Sequence, residues 1–144
     1  MHTVDLGAVR QRFLVILSPG DEVIASLERF VGEHNVQSAS VNAIGALSRA
    51  RLGFFDLAGR SYREIIVDEQ VEALSILGNA ARFEGGPRLH LHAVLSYPDG
   101  SCVGGHLIEA HVDPTLEVIV DVTAATVVRE IDARTGLQLI APPG

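Results

Sequence analysis

His90 and His92 are separated by a single residue, and His106 follows beyond a turn. In a strand, residues i and i+2 share a face, so Leu89-His90-Leu91-His92 presents two imidazoles in the same direction. The connecting segment, Tyr97-Pro98-Asp99-Gly100-Ser101, has the chemistry of a three-residue hairpin loop. Proline suits the first central position of a type I turn, aspartate tolerates the second, and glycine supplies the left-handed residue that follows. With Tyr97 facing Ser101, counting back along both strands sets His92 opposite His106, with His90 on the diagonal. Directly opposed side chains have Cβ atoms about 4.5–5.5 Å apart, and diagonal neighbours about 7–8 Å. Imidazole nitrogens at those separations can converge on one ion at about 2.0–2.1 Å. Three neutral imidazoles that leave a fourth position open form a ligand set for zinc or another divalent transition metal. The competing reading is three histidines hydrogen-bonded to backbone or carboxylates. His111 lies five residues past His106, so a regular strand turns it to the other face. His2 and His34 have no partner in sequence.

The elements that must position these residues are mostly strands. Arg12 to Leu17 is a short apolar run stopped by Ser18-Pro19-Gly20. Asp21 reads as the N-cap of a helix, with Glu22 in its first turn. Val23, Ile24, Leu27, Phe30 and Val31 then lie on one helical face, and the helix is expected to end near His34-Asn35. Strands are expected at Val36 to Ile44 (ending at Gly45), Arg49 to Asp56, Tyr62 to Val67, Ala73 to Leu77 (stopped by Gly78-Asn79) and Arg88 to Tyr97. Cys102 to Val112, Leu116 to Val122, Thr126 to Ile131 and Leu137 to Ile140 complete the set. One helix with about eight strands gives an α+β class, a mostly antiparallel sheet covered by a single helix. Leu116 to Val122 is apolar on both faces, more than one helix can cover, so a second layer or a neighbouring subunit is expected.

Composition narrows the functions. The 144 residues suit a single domain, 1–144, with its core over about residues 10–132. The net charge is −7, and all eleven cations are arginines. Without lysine there is no P-loop lysine and no Schiff-base lysine. The lone Cys102 excludes an intramolecular disulfide and any CxxC pair. It suits a reducing compartment, and Met1-His2-Thr3-Val4-Asp5 has no basic-then-apolar leader, so a cytoplasmic protein is expected. No stretch approaches 18 uncharged apolar residues, so no membrane span is expected.

Other polar positions carry weaker signals. Glu72 and Glu117 are candidate catalytic or supporting residues, each able to orient a histidine or act as a general base on a metal-bound water. The alternative for both is a buried or intersubunit hydrogen bond. Asn79 reads first as a turn residue, with a partner that orients a histidine as the alternative, and Cys102 as a small hydrophobe. Arg49 and Arg51 read as solvated surface without a cluster.

Gly45-Ala46-Leu47, Phe54-Phe55-Asp56, Glu72 to Asn79, His90-Leu91-His92, Asp99-Gly100, Gly104-Gly105-His106-Leu107 and Thr115-Leu116-Glu117-Val118 occur in that order. Together they resemble the plant-and-prokaryote-conserved (PPC) domain in its stand-alone prokaryotic form. The resemblance implies an antiparallel sheet with a helix, a homotrimer, and a metal, zinc first, on histidines matching His90, His92 and His106. Plant members carry a basic Arg-Gly-Arg-Pro hook for the DNA minor groove, and this sequence has no such tetrapeptide.

Three functions follow as expectations. The first is a trimeric binding or assembly domain with a three-histidine metal site and room there for a small-molecule ligand. The second is a zinc-dependent hydrolase or lyase using metal-activated water. The third is DNA binding, which the acidic balance and the missing lysines disfavour.

Overall fold

The computed structural model describes residues 1–142. Eight strands and one helix run in the order β1 (Val9–Leu17), α1 (Val23–Glu33), β2 (Ala39–Asp56), β3 (Ser61–Val67), β4 (Val71–Phe83), β5 (Gly86–Ser96), β6 (Cys102–Thr123), β7 (Arg129–Ile131) and β8 (Gln138–Ile140). The expected α+β class with a mostly antiparallel sheet is what the chain forms. Six strands make one antiparallel sheet in the order β1-β6-β5-β4-β2-β3, and β7 and β8 make a separate hairpin. β6 also pairs with β2, so β2, β4, β5 and β6 form a closed circuit of hydrogen-bonded neighbours.

Several expected boundaries move. The runs 36–44 and 49–56 are parts of one strand, β2, and 102–112 and 116–122 are parts of β6. Gly45 is not a stop. A Cβ there would lie 2.2 Å from the Thr115 carbonyl oxygen, so glycine allows β2 and β6 to cross closely within a bulge. Pro114 likewise stays inside β6, between Val112, which pairs with Leu47, and Leu116, which pairs with Gly45. Its missing N–H costs no ladder bond where pairing is already interrupted.

The helix cap also differs from expectation. Glu22, not Asp21, is the N-cap: its carboxylate accepts from the Ile24 and Ala25 amides, and also from Ala110 N of β6. A glutamate is long enough to cap the helix and tie it to the sheet together. Asp21 instead accepts from the Ser18 amide. At the other end Asn35 adopts φ +50°, the left-handed stop expected there.

Val23, Leu27 and Val31 bury the inner face of α1 against β5 and β6, over a core that includes Leu17, Leu91 and Leu116. Phe13 of β1 meets Phe30 of the helix edge-on at 5.2 Å. On the opposite sheet face β7 packs over the Asn79 end of β4, and the rest is left open by the described residues. Leu14 and Ile16 of β1, Ile44 of β2, Leu74 and Leu77 of β4 and Ile119 of β6 are all exposed on it, the first two at 62%. Among the described residues no helix is long and apolar enough to cross a membrane.

Candidate metal centre

The hairpin between β5 and β6 has the expected register. Tyr97 and Ser101 close the turn, Tyr97 N donating to the Ser101 carbonyl at 2.9 Å, and Gly100 takes φ +82°. Asp99 accepts from the Ser101 amide and hydroxyl, which stiffens the loop. His92 therefore pairs with His106. On its other side β5 pairs with β4, setting His90 beside Asn79. Gly78 makes that approach possible, because a Cβ there would lie 1.9 Å from the His90 carbonyl oxygen. It was expected to end a strand; instead β4 runs through it, and Asn79 is a mid-strand residue rather than part of a turn.

The three imidazoles converge. Each offers a nitrogen, and these atoms all lie within 4.8 Å of one another, with His90 Nε2 and His92 Nε2 3.2 Å apart. Tetrahedral ligand atoms about 2.0–2.1 Å from a metal are about 3.3–3.4 Å from each other, and the 3.2 Å between His90 and His92 matches that separation. His106 Nδ1 is buried without a hydrogen-bond partner. That orphaned atom argues against the reading in which the histidines merely satisfy one another. The Tyr62 ring stacks on His106 with centroids 5.0 Å apart and fixes its plane.

The surroundings hold His106 and His90 toward the neutral form. Burial first, then the charges of His90, His92 and Arg129, push His106 down to about 4. His90 is lowered by burial, then by Arg129 and His92. Neutral imidazoles are the form that ligates a metal.

Arg129, which sequence reading passed over, comes from β7. It is 5% exposed, donating through Nη2 to Asn79 Oδ1 and through Nη1 to the Gln138 carbonyl. The only sequence signal was a cation inside the apolar run Val127-Val128-Arg129-Glu130-Ile131. A cleft of about 520 Å³ opens beside the cluster, bordered by His90, His106, Tyr62, Glu28, Glu64 and Arg129.

Other candidates lie elsewhere. Glu72 pairs with Ser96 and Ala46, roughly 20 Å along β4 from Asn79. Glu117 sits between Ile16 and Ile44, with β2 and β4 separating it from His92. Both are exposed and neither lines the cleft. Cys102 is exposed at the hairpin's end rather than buried. His111 does not turn to the opposite face. A bulge leaves Ile108 unpaired between Glu109, opposite Arg51, and Leu107, opposite Leu52. Leu107, Ala110 and Val112 point into the core, so His106 and His111 both point out. His111 still stands apart from the cluster, bonded to Glu109 at 3.0 Å and to Arg49 at 3.2 Å. Arg51 meets Glu109 at 3.2 Å, so Arg49 and Arg51 do belong to a charged cluster.

A family model for the Plants and Prokaryotes Conserved (PCC) domain matches residues 5–124. The chain belongs to this family. A metal-containing protein from Archaeoglobus fulgidus is 32% identical to this PCC-domain chain, with a TM-score of 0.91, over 98% of this chain and 99% of its own. A plant- and prokaryote-conserved protein from Pyrococcus horikoshii shares the fold, with 24% identity, a TM-score of 0.87 and 95% of each chain covered. A protein from Ralstonia eutropha, named as a candidate DNA-binding protein, is 28% identical, with a TM-score of 0.84 and 90% of each chain covered. No curated protein matches this PCC-domain sequence.

Proposed function

We propose that this PCC-domain protein is a homotrimeric binding module that carries a divalent transition metal, zinc first, on His90, His92 and His106. The observation that carries the reading is the convergence of one ring nitrogen from each of three imidazoles within 4.8 Å, on a cluster in which His106 Nδ1 is buried without a hydrogen-bond partner. Imidazole suits zinc, nickel and cobalt, three such ligands would leave a fourth position for a water or ligand, and two of them, His90 and His106, border the cleft. A metal-containing relative at 32% identity supports the same reading. The trimer is supported by the exposed apolar side chains of β1, β2, β4 and β6, Leu14, Ile16, Ile44, Leu74, Leu77 and Ile119, which the described residues leave open to solvent. Metal analysis and native mass of the purified protein test both halves. One metal per chain in a trimer is expected; a metal-free monomer refutes the reading.

The cleft favours a second reading, a zinc-dependent hydrolase or lyase. A metal held there would supply Lewis acidity. Of the cleft's carboxylates, Glu28 accepts from Arg88 and Leu89 N, and Glu64 lies 3.9 Å from Arg51. Ester hydrolysis that disappears with chelation and returns with zinc supports this reading.

DNA binding receives no support from the surface. The net charge is −7, and four of the eleven arginines, Arg12, Arg51, Arg63 and Arg88, each face a carboxylate.

A further inference from the structure

Arg129 is a buried cation with no carboxylate partner among the described residues. Its two hydrogen bonds go to neutral acceptors, the Asn79 side-chain oxygen and the Gln138 carbonyl, and its Nε has none. Burying a guanidinium is unfavourable unless its charge is compensated. Fastening β7 and β8 to β4 requires only a hydrogen-bond donor, so a clamp does not account for the charge. The cleft's acidic groups do not supply the compensation, since Glu28 is engaged by Arg88 and Glu64 lies beside Arg51. A divalent ion on the three neutral histidines would place two further positive charges on the same wall. The wall then attracts an anion, and a guanidinium is suited to a carboxylate. Gln138 and the Glu28-paired Arg88 also border the cleft, and its apolar wall is formed by Ile24, Leu107, Ile108, Leu137 and Leu139.

We propose that this cleft binds a small carboxylate with an apolar tail, its head held by Arg129 beside the metal and its tail against the leucines and isoleucines. The metal's share of this rests on the three-histidine reading, and the Arg129 share stands without it. Nothing covalent is involved; the carboxylate replaces water at the wall of the cleft.

The test is calorimetric titration of the zinc-loaded protein with hexanoate, with hexanamide of the same shape but no charge, and with inorganic phosphate. Hexanoate should bind at least about tenfold more tightly than hexanamide, the scale of hydrogen bonds to a charged group. It should also bind more tightly than phosphate, which has no tail. Arg129→Met should weaken hexanoate by at least about tenfold with zinc content per chain unchanged, and Arg129→Lys should fall between. Hexanoate and hexanamide binding alike overturns the proposal, as does binding of phosphate alone or hexanoate affinity indifferent to Arg129→Met. Should Arg129→Met not fold, the wild-type comparison and Arg129→Lys still decide. Failure of zinc-loaded protein to bind hexanoate overturns this proposal and leaves the metal reading intact. Hexanoate binding through Arg129 in protein that takes no zinc supports the anion site and removes the metal.

Discussion

His92 and His106 face each other across the β5–β6 hairpin, and the turn that sets this pairing lies at Pro98-Asp99-Gly100. Local chemistry in the loop thus decides which two imidazoles meet. His90 joins them from the same strand face, against Asn79 of β4. The site is therefore built on ladder positions rather than on a free loop, which favours fixed ligand geometry.

The first prediction separates His106 from His111. Both point out of the same sheet face, but His111 is tied to Glu109 and Arg49 away from the cluster. His106→Ala should weaken zinc binding by more than about 100-fold, beyond the usual cost of losing a supporting residue. His111→Ala should leave it nearly unchanged. Metal analysis and competition titration of both variants check this; equal losses would refute the assignment.

A second prediction concerns pH and the metal-free protein. His106 is held at about 4 in the fold, below an ordinary histidine at 6.5, chiefly by burial. Between those values the unfolded chain takes up a proton that the native site refuses. Stability is therefore complete above about pH 6.5 and falls as pH drops toward 4. The lowered His90 acts in the same direction. Urea midpoints at pH 7 and pH 5 should show the decline, and His106→Phe should reduce it. A slope unchanged by that substitution would contradict the assigned cause.

The hairpin was legible in the sequence because its determinants are local: a two-residue period, then proline, aspartate and glycine in order. The lengths of β2 and β6 were not, because Gly45 and Pro114 look like stops when read alone. They persist inside strands only because each occupies the bulge where the two strands cross. Arg129 was hidden for a related reason. Its place beside the histidines depends on the β7–β8 hairpin folding over β4, a contact that no local pattern encodes. Glu72 and Glu117 carried the right chemistry, but strand register sets both on the exposed face away from the cleft.

Gly78 supplies a third prediction. The His90 carbonyl occupies the space a side chain would need, and that neighbour is backbone, which cannot rotate aside. Gly78→Ala should push β5 from β4 at His90, destabilising the fold by about 1–3 kcal/mol as overpacking does. It should also reduce zinc occupancy without touching any ligand. Thermal unfolding with metal analysis reads both, and an alanine variant with wild-type stability and zinc content would refute the close-approach argument.

The final prediction concerns assembly. Ile16 and Ile44 flank Glu117 across β1, β6 and β2, while Leu14 and Ile119 pair alongside. All four apolar side chains are exposed, at 62%, 56%, 62% and 41% in that order. A contiguous apolar face of this kind is unfavourable in water unless another surface covers it, and lasting subunit interfaces are large and hydrophobic. Ile16→Asp sets a second carboxylate beside Glu117 on that face. In an isolated chain an exposed substitution should change stability by no more than about 0.5 kcal/mol. In a trimer the same change buries like charges together and should dissociate the subunits. Sedimentation should show wild type at three chains and Ile16→Asp at one, with circular dichroism unchanged. A variant that stays trimeric would place the interface elsewhere, and a monomeric wild type at all concentrations would remove the trimer.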